Sequence, residues 1–140
     1  MKAVIYFSDS KKKRSKEIAL TIDGDQFELV PAKKIKRIPI YTFLKLGFIT
    51  IRDINVRAAT PKIDFDKYDE IVLVFPIWAG RMSQYMKSYL KTVPFKGKKV
   101  ILIATSDSGQ KGYMVGLGEV VDPSNDIIDM VMYKKNQLLT

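Results

Sequence analysis

Three unbroken apolar runs dominate this sequence: "KAVIYF" at 2–7, "EIVLVF" at 70–75 and "VILIAT" at 100–105. A strand with one wet face alternates apolar and polar side chains. A run without alternation buries both faces, which is the habit of a central strand in a parallel sheet. Three such runs in one short chain call for helical cover on both sides of a sheet.

The segments between the runs supply it. Residues 12–21 suit a helix with Ile18, Ala19 and Ile22 on one face, and "DGDQ" at 23–26 is a turn. "FELVPA" reads as a shorter second strand closed by Pro31. "YTFLKLGFIT", between the loops marked by Pro39 and Pro61, spaces Phe43, Leu44, Gly47, Phe48 and Ile51 as a helix does. "MSQYMKSYLKTV" places Tyr85, Met86, Tyr89, Leu90 and Val93 on one helical stripe, with Ser83 as its cap. "FKGKK" is a turn, and residues 109–121 hold a glycine-rich stretch with a short helix. "DIIDMVMYK" is a last strand, edge-like because Asp129 and the terminal lysines interrupt it.

Strands and helices therefore alternate, which implies an α/β fold: a single domain over 1–140 with a five-stranded parallel sheet between two helical layers. At this length folding buries roughly 68–70% of the unfolded chain's surface, enough to hold a core without staples.

The chain has no cysteine and no histidine. Cysteine nucleophiles, Ser-His-Asp triads, thiolate or imidazole metal sites and iron–sulfur clusters are excluded. The acidic head of "DFDKYDEIVLVF" is a solvated loop before its strand, and no metal is expected. Only five apolar residues follow Lys2 before Ser8, too few for a secretory signal, and no run reaches the roughly 20 residues of a membrane span. A soluble, cytoplasmic protein is expected. The net charge of +9 is uneven: residues 1–57 carry 13 Lys/Arg against 6 Asp/Glu, and residues 58–140 carry 11 against 9. Such a field favours anionic ligands or acidic partners, or it is simply a solubilising surface.

Open α/β sheets bind ligands outside the carboxyl ends of their strands, where the winding reverses. Three loops meet there if the strand order is 2-1-3-4-5. The first offers Ser8, Ser10, Lys11, Lys12, Lys13, Arg14 and Ser15, hydroxyls and positive charge at a helix start, where amides attract phosphate. The second, Pro76, Ile77, Trp78, Ala79 and Gly80, sets the only tryptophan beside small residues that let a flat ring approach. The third, Thr105, Ser106, Asp107, Ser108 and Gly109, is a polar edge able to hydrogen-bond a heterocycle. Phosphate at one end and a planar ring at the other describe a nucleotide-like ligand. Each loop also has a plainer reading: a solvated helix start for "KKKR", a rim aromatic for Trp78, an ordinary turn for "TSDSG". Tyr85 and Tyr89 are core. "GLGEVV" lacks the third glycine and preceding strand of a dinucleotide fingerprint, and no Walker pattern occurs.

"KAVIYFS", "YDEIVLVFPIWAGRMSQYMKSYL" and "GKKVILIATSDSG" resemble the opening strand and the two flavin loops of short-chain flavodoxin-like proteins. "FLKLGFITIRD" resembles the second helix of some members. The resemblance implies non-covalent FMN, with Ser8, Ser10 and Ser15 near its phosphate. Pro76 to Gly80 and Thr105 to Gly109 would flank the ring, with Trp78 as the ring contact. Two features depart from the family. The first loop lacks glycine and carries lysines where the family has a tight turn, and the chain stops after the fifth strand, where the family adds a C-terminal helix. A face of the sheet left bare in that way would suit a partner, such as a second copy in a homodimer.

Two readings follow. One is an FMN-dependent redox protein that passes electrons to an acidic partner protein or reduces a small acceptor such as a quinone. The other is a flavodoxin-like domain that has lost FMN and serves as a binding or assembly module. A nucleic-acid-binding role is weaker, because the basic residues are not interleaved with aromatics in a reader motif.

Overall fold

The computed structural model describes residues 1–7, 14–31, 58–59, 62–78, 81–106, 121–134 and 137–139. The strands are β1 (Lys2–Phe7), β2 (Asp25–Pro31), β3 (Ala58–Ala59), β4 (Glu70–Trp78), β5 (Arg81–Met82), β6 (Lys99–Ser106), β7 (Asp126–Lys134) and β8 (Gln137–Leu139). The helices are α1 (Arg14–Leu20) and α2 (Gln84–Thr92). The helices expected within 43–51 and 109–121 lie outside the described residues.

Five strands pair in parallel in the spatial order β2-β1-β4-β6-β7. Numbered among themselves these are 2-1-3-4-5, as expected. β7 is the last parallel strand, as expected of an edge, and only its end gains a neighbour: β8 pairs antiparallel with Met132, Tyr133 and Lys134. At the opposite edge β3 pairs with the end of β2. Both parallel edges thus gain a short antiparallel neighbour, which covers hydrogen-bonding groups that an open edge would present.

The unbroken apolar runs bury both faces, and the period of two sorts them. Ala3, Ile5, Phe7, Ile71, Leu73, Phe75, Val100, Leu102 and Ala104 share one core with Tyr85, Met86, Tyr89 and Leu90 of α2. Val4, Tyr6, Val72, Val74 and Ile103 point the other way and pack with Ile18 and Ala19 of α1. Each large side chain buried in this way contributes about 1.5–3 kcal/mol. Val93, expected on the α2 stripe, is instead the residue that ends the helix, and it is exposed. Between β6 and β7 the register shifts by one residue at Val100/Ile101, a bulge that leaves Ile128 out of the pairing and exposed.

The turn into β2 depends on Gly24. Its φ is +150°, and a Cβ there would meet the Lys2 carbonyl oxygen at 2.7 Å. Only glycine lets this turn press against the start of β1. At the same end of the sheet Tyr68 donates to Asp25 at 2.7 Å, fastening the lead-in to β4 onto β2.

Burial gives α2 a pH dependence. The Tyr89 hydroxyl is pushed up to about 12 by its burial in the core, whereas in the unfolded chain it titrates near 10. Below that value both states are protonated and the contribution is complete. Above it the unfolded chain ionises first, so stability falls by up to about 1.4 kcal/mol per pH unit until the folded group titrates. Urea unfolding at about pH 9 and pH 11 should show this loss, reduced in Tyr89→Phe. An equal loss in the variant would remove Tyr89 as its source.

Candidate functional site

The candidate site lies where β1, β4 and β6 end, three strands that are neighbours in the sheet. Their carboxyl ends feed the first, second and third loops of the sequence. Ser8, Ser10, Lys11, Lys12, Lys13, Ala79, Gly80, Asp107, Ser108 and Gly109 lie outside the described residues. Arg14 opens α1.

The second loop differs from expectation. Pro76, Ile77 and Trp78 are not loop residues but the last three of β4, and the chain folds straight back as β5. Ile77 pairs with Met82 and Trp78 with Arg81, which leaves Ala79 and Gly80 as the only residues between the paired ends. Proline explains the change of partner. Pro76 has no N–H to give a neighbouring strand, while its carbonyl accepts the Ser83 amide at 3.0 Å. The parallel ladder ends at Pro76, opposite Thr105, and from Ile77 onward the strand pairs with its own continuation. The expected ring contact sits at the end of a hairpin anchored on a central strand.

The third loop also starts later than expected. Thr105 and Ser106 belong to β6, opposite Tyr133 and Lys134 of β7. Thr105 is buried, and its hydroxyl lies 3.0 Å from that of Ser15, also buried, in the first turn of α1. The same Thr105 hydroxyl donates to the Phe75 carbonyl at 3.5 Å. The structure thus brings Ser15 and Thr105 together across 90 residues. Next to them, Tyr6 donates to Glu28 at 3.3 Å, and Lys16 lies 3.8 Å from the same carboxylate, which ties α1 to β2. Burial first, and the Glu28 carboxylate second, hold the Tyr6 hydroxyl above its usual range. On the other face Phe7, the last residue of β1, stacks on Tyr85 of α2 with ring centres 4.9 Å apart.

Ser83 precedes α2 as expected, yet its hydroxyl makes no capping bond and is buried without a partner among the described residues. A working N-cap is worth about 1 kcal/mol, and an unsatisfied buried hydroxyl carries a desolvation cost. Ser83→Ala should therefore change stability by less than about 0.5 kcal/mol or raise it. A fall in thermal midpoint of the size usual for cap removal would show a bond that forms in solution.

Sequence reasoning missed Arg81 and Tyr133. Arg81 is the register partner of Trp78, and Tyr133 is half-buried and opposite Thr105. A two-residue Ala-Gly step between apolar segments was a legible hairpin signal for the first. The second needed the register of β7.

The flavodoxin family profile matches residues 1–119. The chain belongs to the flavodoxin family. Solved structures agree on the fold of this flavodoxin. A Lactobacillus acidophilus flavoprotein in complex with FMN is 19% identical, with a TM-score of 0.76 over 94% of this chain and 91% of that one. The apo form of the flavoprotein from that organism is 20% identical, with a TM-score of 0.64 over 93% and 91%. A Bacteroides eggerthii protein classed as a flavoprotein is 18% identical, with a TM-score of 0.75 over 95% and 87%. No curated protein sequence matches this flavodoxin. Among its described residues, no helix is long and apolar enough to cross a membrane.

Proposed function

We propose that this flavodoxin binds FMN non-covalently where β1, β4 and β6 end, and acts as a cytoplasmic redox protein. The observation that carries the reading is the adjacency of those three strand ends, with Trp78 held at the tip of an anchored hairpin. The donor set suits the group. Ser8, Ser10 and the cationic Lys11, Lys12, Lys13 and Arg14 match a phosphate dianion. Trp78, beside Ala79 and Gly80, offers a flat apolar contact for the ring. Ser106, Asp107, Ser108 and Gly109 line the polar edge of the heterocycle.

When bound, FMN supplies the uptake and release of one or two electrons. The chain's own work is to bind, orient and shield it. Trp78, Pro76 and Ile77 would exclude water from one side of the ring. Backbone groups of Ala79 and Gly80 would be the ones to hydrogen-bond its reactive edge, and so to set the potential. No side chain is needed as an acid or base. The excess of positive charge in residues 1–57 suits an acidic partner protein or a small acceptor.

The test is direct. FMN titrated into flavin-free protein should be quenched stoichiometrically, and the complex should be yellow. No quenching at micromolar protein would overturn this reading. It would favour a binding or assembly module, the role to which the glycine-free first loop otherwise points.

A further inference from the structure

We infer that Ser15 and Thr105 are positioning residues: a buried hydroxyl pair that sets α1, and with it the first loop, against the ends of β4 and β6. This rests on the FMN reading above and deepens it, because it says how the phosphate end is held in register with the ring end.

The two side chains are 2% and 4% exposed, with 3.0 Å between their oxygens. Hydroxyls removed from water must find partners, since an unpaired one carries a substantial desolvation cost. Here each satisfies the other. Either oxygen can be the donor between the two hydroxyls, and the Thr105 hydroxyl also lies 3.5 Å from the Phe75 carbonyl. When Thr105 gives its hydrogen to that carbonyl, Ser15 donates to Thr105. One short chain of bonds joins the first turn of α1 to β6 and on to β4, one residue before Pro76.

The surroundings show why a directional contact matters. α1 otherwise meets the sheet through Ile18 and Ala19, against Val4, Val72, Val74 and Ile103, and through Gln26 of β2, whose side-chain amide donates to the Ala19 and Ile22 carbonyls at 3.0 Å. The apolar contacts are non-directional, and the Gln26 bonds hold only the C-terminal end of α1. The hydroxyl pair adds a directional contact at the other end, in the first turn of α1. Exposed contacts do less. The Lys16–Glu28 pair is 3.8 Å long with both side chains partly solvated, and such pairs contribute little. A serine and a threonine that a sequence reading assigns to the ligand therefore face each other in the interior.

The experiment uses the whole chain with Ser15→Ala, Thr105→Val and Thr105→Ser, titrated with FMN and with riboflavin, which lacks the phosphate. Amide exchange is measured on the same flavin-free proteins. Loss of the pair should weaken FMN binding about tenfold in Ser15→Ala and in Thr105→Val. Riboflavin binding should stay within about twofold, because only the phosphate end is displaced. Thr105→Ser keeps the hydroxyl and should retain FMN affinity. In the flavin-free proteins, Thr105→Val should speed exchange of the α1 amides about tenfold, although the change is made in β6. Equal losses of FMN and riboflavin would overturn the inference, as would unchanged α1 exchange in Thr105→Val. If the wild-type chain binds neither flavin, the FMN reading falls, and the exchange measurement alone decides the positioning role.

Discussion

Phe75→Ala should lower the free energy of unfolding by about 3–5 kcal/mol, seen as a fall in urea midpoint with an unchanged slope. Phe75 is fully buried in the larger core, on the central strand β4. Its register partner on β6 is Ala104, a small residue that leaves the space the ring occupies. On the other side β1 ends in Phe7, whose ring is engaged in the stack with Tyr85. Neither neighbour is free to collapse into the gap. The cost therefore includes a cavity term as well as the lost transfer energy. A domain of this size has only about 5–15 kcal/mol in hand, so the variant should be marginal at 37 °C. Phe75→Leu keeps most of the volume and should cost less than about 2 kcal/mol. Equal losses in the two variants would point away from cavity formation and toward a disturbed backbone at the Thr105 contact.

Trp78→Ala should weaken FMN binding by roughly fifty- to a hundredfold. Covering about 100 Å² of apolar ring surface contributes on the order of 2.5 kcal/mol. The alanine variant gives up most of that contact and retains the phosphate end. Riboflavin should lose affinity by the same factor, since the ring is common to both ligands. Trp78→Phe should recover most of the affinity, because stacking needs a flat apolar face and not the indole N–H. Stability should change little, because the hairpin is held by its backbone pairing to Arg81 and Met82. Unchanged FMN affinity in Trp78→Ala would refute the ring-contact assignment. The pattern also separates the two kinds of residue at this site. Loss at Trp78 falls on both flavins, whereas loss at the Ser15–Thr105 pair falls on FMN alone.

The parallel order was legible because "KAVIYF", "EIVLVF" and "VILIAT" lack alternation, and a doubly buried strand has few architectures open to it. The helical stripe of Tyr85, Met86, Tyr89 and Leu90 was legible for the same reason: period alone fixes which side chains turn inward. The ends of elements were not. Pro76 and Trp78 read as loop because proline usually closes a strand, yet here it redirects β4 into its own hairpin. The Ser83 cap was expected from residue type, while a capping bond depends on where the hydroxyl points, which residue type alone does not set. β8 was missed because three residues carry too little periodicity to be seen.

The sequence by itself determined the α/β class, the doubly covered sheet and the loops at which a ligand would enter. These follow from local spacing, which acts over a few residues. Only the tertiary structure decided that Ser15 meets Thr105, that Arg81 stands opposite Trp78, and that β8 pairs with the end of β7. Each joins groups through register between strands or across a helix–sheet contact. Register is set by the packing of the whole core, and no short stretch of sequence encodes it.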